Sequence, residues 1–181
     1  LSVMAPMLDR PIALFGHSMG GLVAAEAARV LSARGRVPVH LFVSAKPMRR
    51  PSSLLHKLDD ASFITELNRR YAGVPHEIMQ LPDVLELLLP GMRADIEALE
   101  TFGEVKGELP CPISVFGGAD DPAVSREDLE AWRGATTGPC RIRVFPGGHF
   151  YINDARDALL ADVSATLAAF VRHRLGSEPA Q

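Results

Sequence analysis

A serine flanked by glycines, Gly16-His17-Ser18-Met19-Gly20, lies between an apolar run, Ile12 to Phe15, and a helix-forming run, Leu22 to Leu31. G-x-S-x-G set between a strand and a helix is an elbow that holds a serine hydroxyl out on a sharp bend, where it can act as a nucleophile. Gly16 and Gly20 are both expected there because a side chain at either would collide where the backbone folds back. The helix N-terminus behind Ser18 aims backbone N–H groups, that of Met19 above all, at the place where an oxyanion would form.

A serine nucleophile needs a base, and the base needs an orienting acid; for this elbow the chain order is Ser, then Asp or Glu, then His. Two late segments supply them. Pro112 to Gly118 reads as a buried strand ending in a glycine turn, followed by Ala119-Asp120-Asp121-Pro122. Arg141 to Pro146 is a second strand, followed by Gly147-Gly148-His149. Both loops, like the elbow, sit where catalytic groups of open parallel sheets sit, at the C-terminal ends of strands. Asp120 and Asp121 are adjacent, and either can face His149. The other histidines fit the base less well: His17 is inside the elbow, His40 opens a strand, and His56, His76 and His173 lie in polar or amphipathic stretches where a solvated ring is the ordinary reading.

The elements that must position these groups alternate. Strands are expected at 11–16, 39–44, 112–117 and 141–146, and helices at about 20–34, 125–134 and 155–174. This rhythm implies an α/β fold with a parallel, doubly wound sheet. Residues 46–110 interrupt the alternation and are expected to form a helical lid insertion. In it Leu85, Leu88, Leu89, Met92, Ile96 and Leu99 recur at helical spacing, with Pro90-Gly91 expected to break the run into two helices. Core packing is the ordinary reading of that stripe; the sharper one is that Leu88 and Met92 line an acyl pocket with Met19. Residues 1–175 then form one domain, and 176–181 a disordered tail.

The chain has 181 residues, 47% of them hydrophobic, with 19 basic and 22 acidic groups and a net charge of −3. That length supports a substantial core, and that balance gives no reason to expect a nucleic-acid partner. No apolar run approaches a membrane span. Cys111 and Cys140 each precede a strand and are read as reduced, half-buried thiols, which suggests the cytoplasm. No Cys/His cluster has metal-ligand spacing.

Together these segments resemble the type II thioesterases, α/β-hydrolases that accompany modular polyketide synthases and nonribosomal peptide synthetases. Phe15-Gly16-His17-Ser18-Met19-Gly20-Gly21 is similar to the family's elbow. Phe63 to Pro75, with Leu67, Tyr71 and Gly73, resembles the start of its lid; Pro90, Arg93-Ala94-Asp95 and Glu100 resemble its P-x-x-R-A-D segment. Gly117 to Pro122, Trp132, Thr136 to Pro139 and Val144 to Phe150 resemble its acid loop through its histidine loop. The resemblance implies that Ser18, Asp121 and His149 form the catalytic triad, with Asp121 chosen because the family's acid aligns with the second aspartate. It also implies Met19 as an oxyanion donor, Phe150 beside the substrate, no cofactor, and an acyl or peptidyl carrier protein as partner to a monomeric enzyme. The reaction would be hydrolysis of acyl thioesters on phosphopantetheine, with a general esterase or acyl-CoA thioesterase as the alternative. The family's first strands and its glycine-containing oxyanion loop would precede residue 1. Loss of one oxyanion donor lowers kcat about 10²–10³-fold, so residues 1–181 alone are expected to be poorly soluble or weakly active.

Charge in the insertion is uneven. Lys46, Arg49, Arg50, Lys57, Arg69 and Arg70 face three acids between residues 46 and 70, whereas 83–108 carry seven acids and only Arg93 and Lys106. Solvated helix surface is the ordinary reading. The functional one is that the basic stretch attracts an acidic carrier protein or its phosphopantetheine phosphate.

Overall fold

Each expected strand forms within two residues of its expected bounds. A computed structural model describes residues 9–50, 53–102 and 105–176. β1 (Ala13–His17), β2 (His40–Ser44), β3 (Ile113–Gly118) and β4 (Cys140–Phe145) make one parallel sheet in the order β1-β2-β3-β4. In register, Phe15 lies beside Phe42 and Val115 beside Ile142. All six residues of β3 are buried, as an inner parallel strand requires.

Helices cover both faces. α1 (Met19–Ala33) lays Leu22, Ala25 and Ala28 on the face built from Leu41, Val43, Ile113 and Val115, where Leu129 and Trp132 also pack. α5 (Arg126–Glu130) and the 3₁₀ turn Ala131–Ala135 bring those last two residues in. On the opposite face Phe42, Phe116 and Phe145 meet Tyr151 of α6 (Tyr151–Asp154) and Leu159 of α7 (Arg156–Gly176). Alternate β2 residues serve opposite faces, which is why its sequence reads as a continuous apolar run. Asp162 of α7 lies 3.0 Å from both Arg141 and Arg143, tying the helix to β4.

Between β2 and β3 the chain forms a 3₁₀ turn (Leu55–Lys57), α2 (Asp60–Tyr71), α3 (His76–Met79) and α4 (Pro82–Thr101). Leu55, Phe63, Leu67 and Val74 form its core, against which Leu85, Leu89, Met92 and Ile96 pack. Two expectations fail here. Pro90-Gly91 does not divide the run, because α4 continues through Pro90. Pro90 is exposed, so water can serve the carbonyl one turn back that loses its N–H partner. His56 is not solvated either: its Nδ1 lies 2.5 Å from the buried carboxylate of Glu100, which also accepts from the Leu55 N–H and the Ser53 hydroxyl.

Arg93 ties α4 to this core, donating to the carbonyls of His56 and Leu58 and to Asp60, with its guanidinium 4.5 Å from the centre of the Phe63 ring. Cys111 is buried, Cys140 is half-buried, and both thiols are free. Gly176 is helical, while the rest of the expected tail, 177–181, lies outside the described residues, as does 1–8.

Candidate active site

Ser18 joins β1 to α1 with φ 52° and ψ −121°, a backbone conformation that a non-glycine residue adopts only under constraint. The bend is held by Ser18 N–H donating to Ser44 O at 2.8 Å and Gly21 N–H donating to Ser18 O at 2.9 Å. Ser18 stands where a helix N-cap would stand, yet its hydroxyl makes no cap hydrogen bond. Its Oγ lies 2.9 Å from His149 Nε2 instead. The close approach of strand and helix depends on Gly16, where an added Cβ would sit 2.0 Å from Gly20 O. Gly20 is a correction: a Cβ there meets nothing within 4 Å. The second tight glycine is Gly21, whose added Cβ would lie 3.2 Å from Lys46 Cβ.

The loops carrying Asp121 and His149 are joined edge to edge. Ala119 N–H donates to Phe145 O at 2.8 Å and Asp120 N–H to Gly147 O at 2.9 Å. Gly118 permits this, because a Cβ there would be 2.3 Å from Gly148 O. Asp121 Oδ2 then lies 2.8 Å from His149 Nδ1, and its Oδ1 accepts from the Ala123 N–H at 2.9 Å. Asp120 is exposed, and the following helix is capped by Ser125. An ionised carboxylate only accepts, so the proton must be on Nδ1, leaving Nε2 to accept from the Ser18 hydroxyl. That is the protonation pattern a general base needs. Met19 is the first residue of α1, so its N–H has no carbonyl one turn back to bond.

Among the described residues there are two further serine–histidine pairs. His17 Nδ1 is 2.8 Å from Ser44 Oγ, which is 2.6 Å from the Tyr151 hydroxyl; Ser44 and Tyr151 are buried and His17 is half-buried. Burial holds His17 down to about 4, the neighbouring His149 adds to this, and Asp121 opposes it. His40 Nε2 is 2.9 Å from Ser114 Oγ, and burial alone lowers it to about 4. Neither pair has a carboxylate on its histidine, so of these three serine-bonded histidines His149 is the one arranged to stabilise a positive charge. The His149 ring is held edge-on by Tyr71 at 4.8 Å and by Phe150 at 5.2 Å, with His17 at 5.3 Å. Spacing in sequence gave no sign of the His17–Ser44–Tyr151 group: pairing of β1 with β2 sets His17 beside Ser44, and α6 brings Tyr151 onto them.

Two cavities meet at Ser18 and His149. One, about 320 Å³, is lined by Met19, Leu67, Met92, Ile96 and Phe150. Of the expected pocket residues it therefore includes Met92 and Phe150. Leu88 is outside it, 43% exposed on the outward side of α4. The other, about 520 Å³, is lined by Lys46 and by Arg49, Arg50, Arg69 and Arg70. Tyr71 and Leu99 border both. Burial pulls the Lys46 amine down to about 8, with Asp128 opposing. Among the described residues, no helix is long and apolar enough to cross a membrane.

Comparison with known proteins agrees with this geometry. The thioesterase domain family matches residues 1–167. Thioesterase PikA5 of Streptomyces venezuelae is 39% identical over 157 residues, covering 84% of this chain and 56% of that protein. The probable cadicidin biosynthesis thioesterase of Streptomyces griseus is 34% identical over 167 residues, covering 91% of this chain and 46% of that protein. The solved structure of RedJ, a thioesterase from the prodiginine biosynthetic pathway in Streptomyces coelicolor, superimposes with a TM-score of 0.82 at 36% identity, covering 91% of this chain and 67% of that one. The chain thus spans about half the length of these two curated relatives.

Proposed function

The chain belongs to the thioesterase domain family, and from that premise we propose that it hydrolyses acyl thioesters carried on the phosphopantetheine of acyl or peptidyl carrier proteins. In this reading it is a monomeric cytoplasmic enzyme that clears stalled or aberrant acyl groups during polyketide or nonribosomal peptide assembly. The observation that carries the reading is His149 set between the Ser18 hydroxyl at 2.9 Å and the Asp121 carboxylate at 2.8 Å. PikA5 and RedJ are named as thioesterases, RedJ as one from a biosynthetic pathway, which supports a thioester as the substrate by analogy.

His149 Nε2 takes the Ser18 proton as Oγ attacks the thioester carbonyl, and Asp121 stabilises the imidazolium that results. The developing oxyanion accepts from the Met19 N–H. Collapse of the tetrahedral species breaks the C–S bond, and His149 returns the proton to the departing thiolate. His149 then takes a proton from water, which attacks the Ser18 ester; collapse breaks the bond from the acyl carbon to Oγ, His149 returns the proton to Ser18 Oγ, and the free acid leaves. Chemistry of this kind uses no cofactor.

Hydrolysis of acetyl- or propionyl-phosphopantetheinyl carrier protein by the full-length protein and its Ser18→Ala variant tests the reading. Release by the wild type and none above background by the variant is the expected result. A folded wild type that prefers oxygen esters or acyl-CoA over the carrier-bound thioester would replace it with a general esterase or acyl-CoA thioesterase.

A further inference from the structure

The two cavities that meet at Ser18 differ in chemistry. The smaller is walled mainly by apolar side chains of α2, α4 and the elbow, with Asp95 of α4 as its acidic member. The larger gathers four guanidinium groups from segments twenty residues apart: Arg49 and Arg50 follow β2, and Arg69 and Arg70 end α2. Two of the four have a sufficient structural account. Arg69 is bound to Glu66 at 2.8 Å, Arg70 reaches Glu66 and the Ser53 hydroxyl at 2.7 Å, and both favour the negative end of α2. Arg49 and Arg50 do not. Arg49 is 77% exposed with its nearest carboxylate, Asp128, at 4.0 Å. Arg50 is exposed and forms no ion pair among the described residues. Guanidinium forks left open in a cleft that ends at a nucleophile suit an anion of fixed geometry, such as a phosphate.

We propose that Ser18 lies at the boundary of a divided substrate site: the apolar cavity takes the acyl chain, and the arginine-walled cleft takes the thiol arm, with Arg49 and Arg50 on its phosphate. This rests on the thioesterase reading. A thioester joins an apolar acyl group to a phosphate-bearing arm at the reacting carbon, so its two halves must leave Ser18 in different directions. Tyr71 and Leu99, which border both cavities, stand at that division. The arginines share their cleft with Ser18 and His149, within the path of the arm, which favours the arm's phosphate over the acidic surface of a carrier protein as their ligand.

Binding to the full-length Ser18→Ala variant separates this from turnover. Phosphopantetheine is expected to bind about tenfold more tightly than pantetheine, a difference set by two exposed ion pairs. Adding Arg49→Ala and Arg50→Ala should bring the two dissociation constants together, whereas Arg126→Ala, on α5 and 71% exposed, should leave the tenfold ratio. In turnover with Ser18 restored, the propionyl esters of the two compounds should show the same ratio in kcat/KM, carried by KM. Equal binding of the two compounds, or a ratio that survives loss of both arginines, overturns the proposal. A double variant impaired only on carrier-bound substrate, with its phosphopantetheine ratio intact, overturns it in favour of a carrier-surface contact. Absence of thioester hydrolysis in the wild type removes the thioesterase reading instead, while the dissociation constants still decide the phosphate site.

Discussion

The two aspartates of the acid loop differ by one position and, in the proposed mechanism, by their whole function. Asp120 commits its backbone N–H to Gly147 O, and its side chain is exposed. Asp121 places one oxygen on the Ala123 N–H and the other on His149. Asp121→Asn can keep the first bond while presenting an NH₂ group to Nδ1. The proton is then driven to Nε2, and His149 no longer accepts from Ser18. The expected loss in kcat is about 10⁴-fold with an unchanged melting temperature, against less than about threefold for Asp120→Asn on surface-substitution grounds. Comparable losses in the two variants would remove the orienting role from Asp121. Local sequence placed Ser18, the two aspartates and His149 on loops that meet in the structure because each follows a strand and a glycine. It left the aspartates unresolved because the choice depends on how two loops distant in sequence bond to each other. Leu88 lies outside the cavity for a related reason: helical spacing selects a stripe, and only packing shows which of its members turn outward.

At the level of elements, strand and helix bounds were legible because period and glycine punctuation agree with the final packing. The misread features were those settled by contacts distant in sequence or by solvent. Glu100 pairs with His56 across 44 residues, and Pro90 is accommodated because its side of α4 faces water. The elbow was read correctly as a motif and only half correctly as a steric device. An alanine at Gly16 would press Cβ to within 2.0 Å of Gly20 O and 2.6 Å of Gly21 N, backbone atoms with no room to yield. Gly16→Ala is therefore expected to cost more than about 4 kcal/mol or to prevent soluble folding. Gly20→Ala places its methyl in open space inside α1, where helix propensity favours alanine by about 0.5–1 kcal/mol. Thermal unfolding of the two variants checks this, and a Gly20→Ala protein as unstable as Gly16→Ala would overturn the steric account.

The molecule as a whole carries, among its described residues, two histidines held neutral on one face of its sheet, and they contribute to its response to acid. His17 and His40 lie at the two ends of adjacent strands. Burial lowers each from 6.5 to about 4, and for His17 the charge of His149 adds to the effect. Between pH 6.5 and about 4 the unfolded chain binds protons at these rings that the folded chain refuses, so stability is complete above that window and declines as pH falls through it. Allowing for the water that still reaches these half-buried rings, the unfolding free energy is expected to fall by ~2 kcal/mol between pH 7 and 5. Glu100 acts in a lower range. Burial raises its carboxyl, but hydrogen bonds from His56, Leu55 and Ser53 outweigh that and hold it below the usual value, so its contribution is lost only as the pH drops past the carboxylate range. His40→Gln keeps a group able to bond Ser114 Oγ but cannot take up a proton, so it should roughly halve the fall between pH 7 and 5 while leaving His17 untouched. Denaturant unfolding of wild type and His40→Gln at the two pH values measures both quantities. Identical slopes in the two proteins, or a wild-type curve flat down to pH 5, would show that these rings are protonated in the folded chain and that the sheet ends are open to water.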